Sequence, residues 1–193
     1  NRRTDVTNGL GQQWSYFYDA ANQLTQVLTP AVAGQRLSTR YAYDALDNVT
    51  SITDGRGNAV TYQYDAKGNR TLERDALGNT LTRLFSASNQ VLNETRHTTP
   101  ASLKNGVWSE PPATSARTKR YVYDAADRLR FTVDETGMVS EQRYSASGLR
   151  TQVIVYTDST ISIVGLQPSD VLTEAQLNAW IAARDKTQSQ LTE

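Results

Sequence analysis

Carboxylates recur through this chain as groups that could do chemistry, and their spacing argues against catalysis. Asp19, Asp44, Asp65 and Asp124 each follow a tyrosine and each opens a string of the form Tyr-Asp-Ala. A catalytic centre needs dissimilar groups converging on one point, whereas these recur at equivalent places along the chain and must lie spread out. His97 is the only histidine and there is no cysteine, so neither a histidine-rich metal cluster nor a Cys–His pair can be assembled. A Ser–His–Asp triad would have to use His97, and no motif marks a nucleophile for it. The stretch Asp54-Gly55-Arg56-Gly57-Asn58 is glycine-rich, but it lacks the Lys-Ser/Thr of a phosphate loop and the acidic ligands and closing Glu of a calcium loop. The expectation is a chain that is not an enzyme, with no catalytic, cofactor-binding or metal-binding residue.

The same strings reveal what must position them. YDAAN at 18–22, YDALD at 43–47, YDAKG at 64–68, FSASN at 85–89, YDAAD at 123–127 and YSASG at 144–148 are one motif. A second punctuation alternates with it: NGLG at 8–11, DGRG at 54–57, DALG at 75–78 and DETG at 134–137. From Asp44 the steps are 10 to Asp54, 11 to Asp65, 10 to Asp75 and 11 to Ser86, a period of 21 residues with two turns in each repeat.

Turn chemistry explains the residue choice. The fourth turn position is held by Asn22, Asp47, Gly68, Asn89, Asp127 and Gly148, the three residue types that most readily enter the left-handed region. The Asp or Ser at position one, including Asp19, Asp44, Asp65 and Asp124, can fold its oxygen onto main-chain N–H groups. Each motif is therefore read as a hairpin turn.

The connecting segments of about seven residues, roughly 20 Å as extended chain, are too short for helices and rich in β-formers. Tyr16 and Tyr18, Tyr41 and Tyr43, Tyr62 and Tyr64, and Tyr121 and Tyr123 sit two apart, which puts each pair on one face of a strand. The pattern predicts an all-β, antiparallel meander of hairpins forming a curved or spiralling sheet, with the tyrosine face buried or stacked and the other face wet.

Two interruptions and a tail break the period. Asp19 to Asp44 is four residues too long, with the excess at the Pro/Gly loop 29–34, and Ser86 to Asp124 is 17 too long. The predicted organisation is YD hairpins over 1–93, an irregular insertion at 94–119, a further YD hairpin at 120–150, a terminal hairpin at 151–168, and a helix with tail at 169–193. Within the insertion, Trp108 is read either as a plug on the adjacent sheet, the preferred reading, or as an exposed ligand contact. Thr173 with Gln176 forms a capping-box pattern flanked by Leu172 and Leu177, placing the helix over about 174–186 with Trp180 needing a covering surface.

Composition narrows the partners. Twenty basic residues balance twenty acidic ones, leaving no net field for a nucleic-acid backbone, and no run of about 18 apolar residues offers a membrane span. The hydrophobic share of 38% favours much solvated surface. The start, Asn1-Arg2-Arg3-Thr4, reads as a cut inside a longer parent chain.

YDAKGNRTLERDALGNT, with its paired spacing, resembles the YD repeat of the RHS family, which includes bacterial RHS proteins, the B and C components of toxin complexes, and teneurins. The resemblance spans about residues 8–93 and 120–150. It implies a β-sheet strip that spirals into a hollow shell, in bacterial relatives enclosing a C-terminal toxic polypeptide, in a secreted or cell-surface bacterial protein. The family's self-cleaving core is not recognised in this chain, so no catalytic residue is carried over. The expected partners are neighbouring repeats of the parent chain and an enclosed toxin. The alternative is an adhesive module binding carbohydrate or a host surface protein, with Trp108 as the anchor.

Overall fold

The computed structural model describes residues 4–184 and the strand at 190–192. Its strands are β1 (Asp5–Thr7), β2 (Gln13–Tyr18), β3 (Leu24–Leu28), β4 (Ser38–Tyr43), β5 (Val49–Thr53), β6 (Ala59–Tyr64), β7 (Arg70–Arg74), β8 (Thr80–Phe85) and β9 (Val91–His97). A small hairpin comes next, β10 (Leu103–Lys104) with β11 (Val107–Trp108), and then β12 (Ala116–Tyr123), β13 (Leu129–Val133), β14 (Val139–Tyr144) and β15 (Arg150–Tyr156). The helix α1 (Glu174–Ala182) and β16 (Gln190–Thr192) complete the chain. Two compact units are formed, one from residues 1–80 and 100–110, the other from 81–99 and 111–193. In each, main-sheet strands pair antiparallel with their neighbours in chain order, as a meander requires.

The two kinds of turn share a backbone but differ in the strand pairing beyond it. At every turn the fourth residue donates its N–H to the first residue's carbonyl, as in Asn22 to Asp19 at 3.1 Å and Gly57 to Asp54 at 3.1 Å. After the glycine turns pairing continues without a break, Thr53 opposite Ala59 and Ile52 opposite Val60. After the tyrosine turns one residue is extra: Tyr43 faces Val49 but Ala42 faces Ser51, so Thr50 bulges. Thr25, Thr71, Leu92, Arg130 and Thr151 hold the same bulge in the other repeats. A bulge shifts side-chain alternation by one. That shift brings Phe131 and Val133 onto the face that carries Arg120 and Val122.

This corrects the expected distribution of wet and dry faces. Tyr121 and Tyr123 are only half-buried, whereas Val122, Phe131, Val133, Val139, Ile154 and Tyr156, on the opposite face, form the core of the second unit with Leu177 of α1. In the first unit the buried Leu72 and Arg74 likewise pair with Gln63 and Thr61, on the face away from Tyr62. The physical reason is the bulge, which a strict period of two cannot register, together with covering segments that lie on the non-tyrosine face.

The covering segments also differ from expectation. The insertion is irregular over a shorter stretch than 94–119, because β9 and β12 run into it as paired strands from Asn93 opposite Arg120 to His97 opposite Ala116. Residues 157–168 form no terminal hairpin: β15 pairs with β14 on one side and β16 on the other, and Ile161 and Ile163 pack against the core instead. The capping box at Thr173 and Gln176 is formed, and Leu172 and Leu177 both reach the core. Lys186, the expected end of the helix, and Asn1 to Arg3 lie outside the described residues.

Each covering segment is fastened by one main-chain contact to a turn glycine. Ala101 N–H donates to the Gly78 carbonyl and Ile161 N–H to that of Gly137, both at 2.9 Å. A Cβ at Gly78 would lie 2.1 Å from the Ala101 oxygen, and one at Gly137 would lie 2.3 Å from the Ile161 oxygen. Gly57 has the same positive φ but open space around it. Gly137→Ala is therefore expected to cost about 3 kcal/mol or more, strain plus collision, and Gly57→Ala about 1–2 kcal/mol from strain alone. Urea denaturation of the two variants would check this, equal losses being contrary to it.

Candidate functional site

The structure distributes the residues singled out in the sequence among turns and strands by role. Asn22, Asp47, Asn89 and Asp127 have φ between 59° and 72°, and Gly68 and Gly148 stand at 81° and 83°. Asp44 Oδ1 accepts from Leu46 N–H and Asn48 N–H, both at 2.9 Å, and Asp65 repeats the pattern with Lys67 and Asn69. Asp124 takes Ala126 and Arg128 N–H, and Asp19 takes that of Gln23. The side-chain amides of Asn48 and Asn69 first, and these main-chain donors next, hold the Asp44 and Asp65 carboxyls below their ordinary range. Every one of these contacts closes a turn on itself.

The tyrosines separate into two sets. Four that stand immediately before a turn reach into the preceding repeat: Tyr43 donates to the Leu24 carbonyl, Tyr64 to Val49 and Tyr144 to Leu129, each at 2.8 Å, and Tyr123 to Val91 at 3.1 Å. Each acceptor is the residue paired with the tyrosine position of its own repeat, directly before the bulge. Phe85, at the same motif position, has no hydroxyl to donate. Tyr62 and Tyr121 instead lie under cations, Arg70 at 4.6 Å and Lys119 at 5.3 Å, while Tyr16, Tyr18 and Tyr41 are half-buried on the same face. Alternating aromatic spacing located this face, but the hydroxyl ladder depends on register and was not legible in it.

Trp108 lies over Arg74, 5.3 Å from ring centroid to guanidinium carbon. Arg74 is 4% exposed, donates to Thr80 Oγ1 at 3.0 Å and pairs with Glu110 at 3.3 Å. Trp108, on the small β10–β11 hairpin, thus covers a buried cation of the main sheet.

His97 does meet a hydroxyl, Ser115 Oγ at 3.1 Å. That hydroxyl has one proton and lies 2.7 Å from the Pro112 carbonyl, to which it must donate. Ser115 therefore accepts from His97, and at 4% exposure it is not a presented nucleophile. The pair ties the end of the insertion to the sheet.

One dense charged cluster escapes motif reading because its members are distant in sequence. Glu141 is 2% exposed and contacts Arg130 at 2.6 Å, Arg143 at 2.8 Å and the Tyr156 hydroxyl at 2.5 Å. Burial alone would raise its pKa, but these donors together hold it below the ordinary value. Tyr156 is pushed up to about 12, first by burial and then by the carboxylate beside it. Trp180 meets Tyr156 edge-on at 5.6 Å, and Arg184 stacks on Trp180 while pairing with Asp158. A carboxylate saturated by three donors inside a core is a fastening for α1.

These bonds carry two expected outcomes. Tyr64→Phe is expected to lose about 1 kcal/mol while Tyr62→Phe loses almost nothing, a difference readable in chemical denaturation. A phenol raised on folding contributes stability that is complete below pH 10 and lost as pH climbs through about 12. Tyr156→Phe should remove part of the alkaline loss seen in Trp180 fluorescence, at a cost near neutral pH of about 2 kcal/mol for the lost bond to Glu141. An unchanged alkaline limb would contradict the assignment.

Comparison with known proteins finds the repeat in the sequence. The RHS Repeat family model matches residues 1–31, 32–59 and 43–80. A search of the curated proteins returned no match. Among solved structures, the crystal structure of TcdB2-TccC3-Cdc42 aligns at 12% identity and a TM-score of 0.37, covering 81% of this chain and 11% of that one. TcdB2-TccC3 aligns at 13% with the same score and coverage. A porin-like protein from Bacteroides uniformis aligns at 14% with a TM-score of 0.24, covering 78% of this chain and 86% of that one. This chain thus spans about a tenth of the length of the TcdB2-TccC3 chains. The RHS Repeat model thus matches the first 80 residues, and the same bulged tyrosine hairpins recur beyond it at β12–β13 and β14–β15.

Proposed function

We propose that this chain is a stretch of wall in a larger, secreted or surface-exposed bacterial RHS polypeptide, and that the wall encloses a toxic segment carried by the same parent. The tyrosine ladder is the observation that carries the reading: four tyrosine hydroxyls join a repeat to the one before it. The carboxylates support it, since they close turns or saturate internal cations and leave no convergent set of reacting groups among the described residues. The adhesive alternative rests on Trp108, whose ring is occupied by Arg74.

Limited proteolysis of the parent polypeptide tests enclosure. A downstream segment should resist protease in the intact parent and be digested when the wall is opened by the combined substitutions Gly78→Val and Gly137→Val. Equal digestion in both would sink the enclosure reading. Glycan binding by the intact chain that disappears on Trp108→Ala would then favour the adhesive one.

A further inference from the structure

Two asparagines of this chain precede a glycine, Asn8 and Asn105. That pairing carries chemistry of its own, because glycine has no side chain to shield its main-chain nitrogen from the carboxamide before it. The carboxamide of Asn8 is pinned by three bonds, accepting from Leu10 and Gln12 N–H at 3.0 Å each and donating to Gln12 Oε1 at 2.8 Å. Asn105 is exposed, and among the described residues no hydrogen bond holds its carboxamide. A Cβ built on Gly106 would meet nothing within 4 Å, so there is open space beside its nitrogen.

Asn105 and Gly106 are the two turn residues of the β10–β11 hairpin, with φ of 50° and 79°, the pair of left-handed conformations that such a turn demands. Two positions are paired, Leu103 with Trp108 and Lys104 with Val107, and Leu103, Lys104 and Val107 are all exposed. Ser109 N–H donates to the Ser102 carbonyl at 2.8 Å, and Trp108 over Arg74 attaches the hairpin to the main sheet. An element with so little buried apolar surface opens locally at low free-energy cost. A five-membered ring cannot close while Asn105 keeps the left-handed backbone of the turn, so ring closure proceeds from the opened hairpin.

We propose that Asn105-Gly106 is a self-modification site, at which loss of ammonia leaves a backbone that can no longer seat Trp108 over Arg74. The Gly106 nitrogen bonds to Asn105 Cγ as the Cγ–Nδ2 bond breaks, and the proton of Gly106 N–H leaves with Nδ2 as ammonia. Water then opens the ring. Cleavage of the new bond gives aspartate, which the turn accepts, since Asp-Gly suits the same pair of left-handed residues. Cleavage of the original peptide bond gives isoaspartate, whose main chain is longer by one methylene and no longer fits a two-residue turn. Opening is reversible and this product is not, so the cover over a cation that is 4% exposed is lost for good in each molecule that reaches it. The assignment rests on the hairpin alone and is independent of the wall reading.

The test is incubation of the whole chain in mildly alkaline buffer, with peptide mapping by mass spectrometry to quantify asparagine, aspartate and isoaspartate at positions 8 and 105. Conversion at Asn105 should run about tenfold ahead of that at Asn8. Trp108→Ala, which removes the attachment, should speed it roughly fivefold. In the isoaspartyl form, separated by chromatography, the indole N–H signal of Trp108 should move in the NMR spectrum, whereas Asn105→Asp should leave it in place. Conversion at Asn105 no faster than at Asn8, a rate indifferent to Trp108→Ala, or an unmoved Trp108 signal in the isoaspartyl form would overturn the proposal.

Discussion

A bulge leaves main chain that regular pairing does not serve, and in this chain a neighbouring tyrosine reaches that place. The hydroxyls of Tyr43, Tyr64, Tyr123 and Tyr144 land on the carbonyl directly before the bulge of the preceding repeat. Threonine in the bulge adds a second fastening, Thr25 to the Phe17 carbonyl and Thr151 to that of Arg143, both at 3.2 Å. The bulge sets which face is buried, the tyrosine ties consecutive repeats together, and the left-handed fourth turn residue sets the register at which both occur. Removing any one of the three would undo the reason for the other two.

The same arrangement separates regularity from variation. Both long interruptions fall where a glycine turn would stand, and the ladder crosses them unchanged. Tyr64 to Val49 and Tyr144 to Leu129 span 15 residues, whereas Tyr43 to Leu24 spans 19 and Tyr123 to Val91 spans 32. These longer spans exceed 15 by the same four and 17 residues by which the sequence period is exceeded. Extra chain is admitted at one end of the hairpins because the joining chemistry sits at the other.

Much of this was legible in the residues themselves. The period, the strands and the left-handed position follow from turn chemistry, which is local and repeats, and the capping box at Thr173 and Gln176 needs only four consecutive positions. The buried face was misread because a bulge has no residue signature as strong as a turn's: threonine holds four of the six bulges, leucine and arginine the others. Apolar residues at Ile161 and Ile163 suggest a strand by pattern, but the backbone there follows Gly137 and the core. Glu141 with Arg130, Arg143 and Tyr156 was invisible for a related reason, since three strands must be in register before the four meet.

The ladder also gives the sheet a direction of weakness. Its hydroxyl bonds connect one hairpin to the next and nowhere brace three at once, so a load applied to one end would be borne by a single rung at a time. Each rung that yields releases one repeat, on the order of 70 Å of extended chain for 21 residues, before the next is strained. Such a strip gives way like a seam, in steps of about 21 residues in the regular repeats and of 25 and 38 across the two interruptions, and the steps are already written into the spacing of the turns.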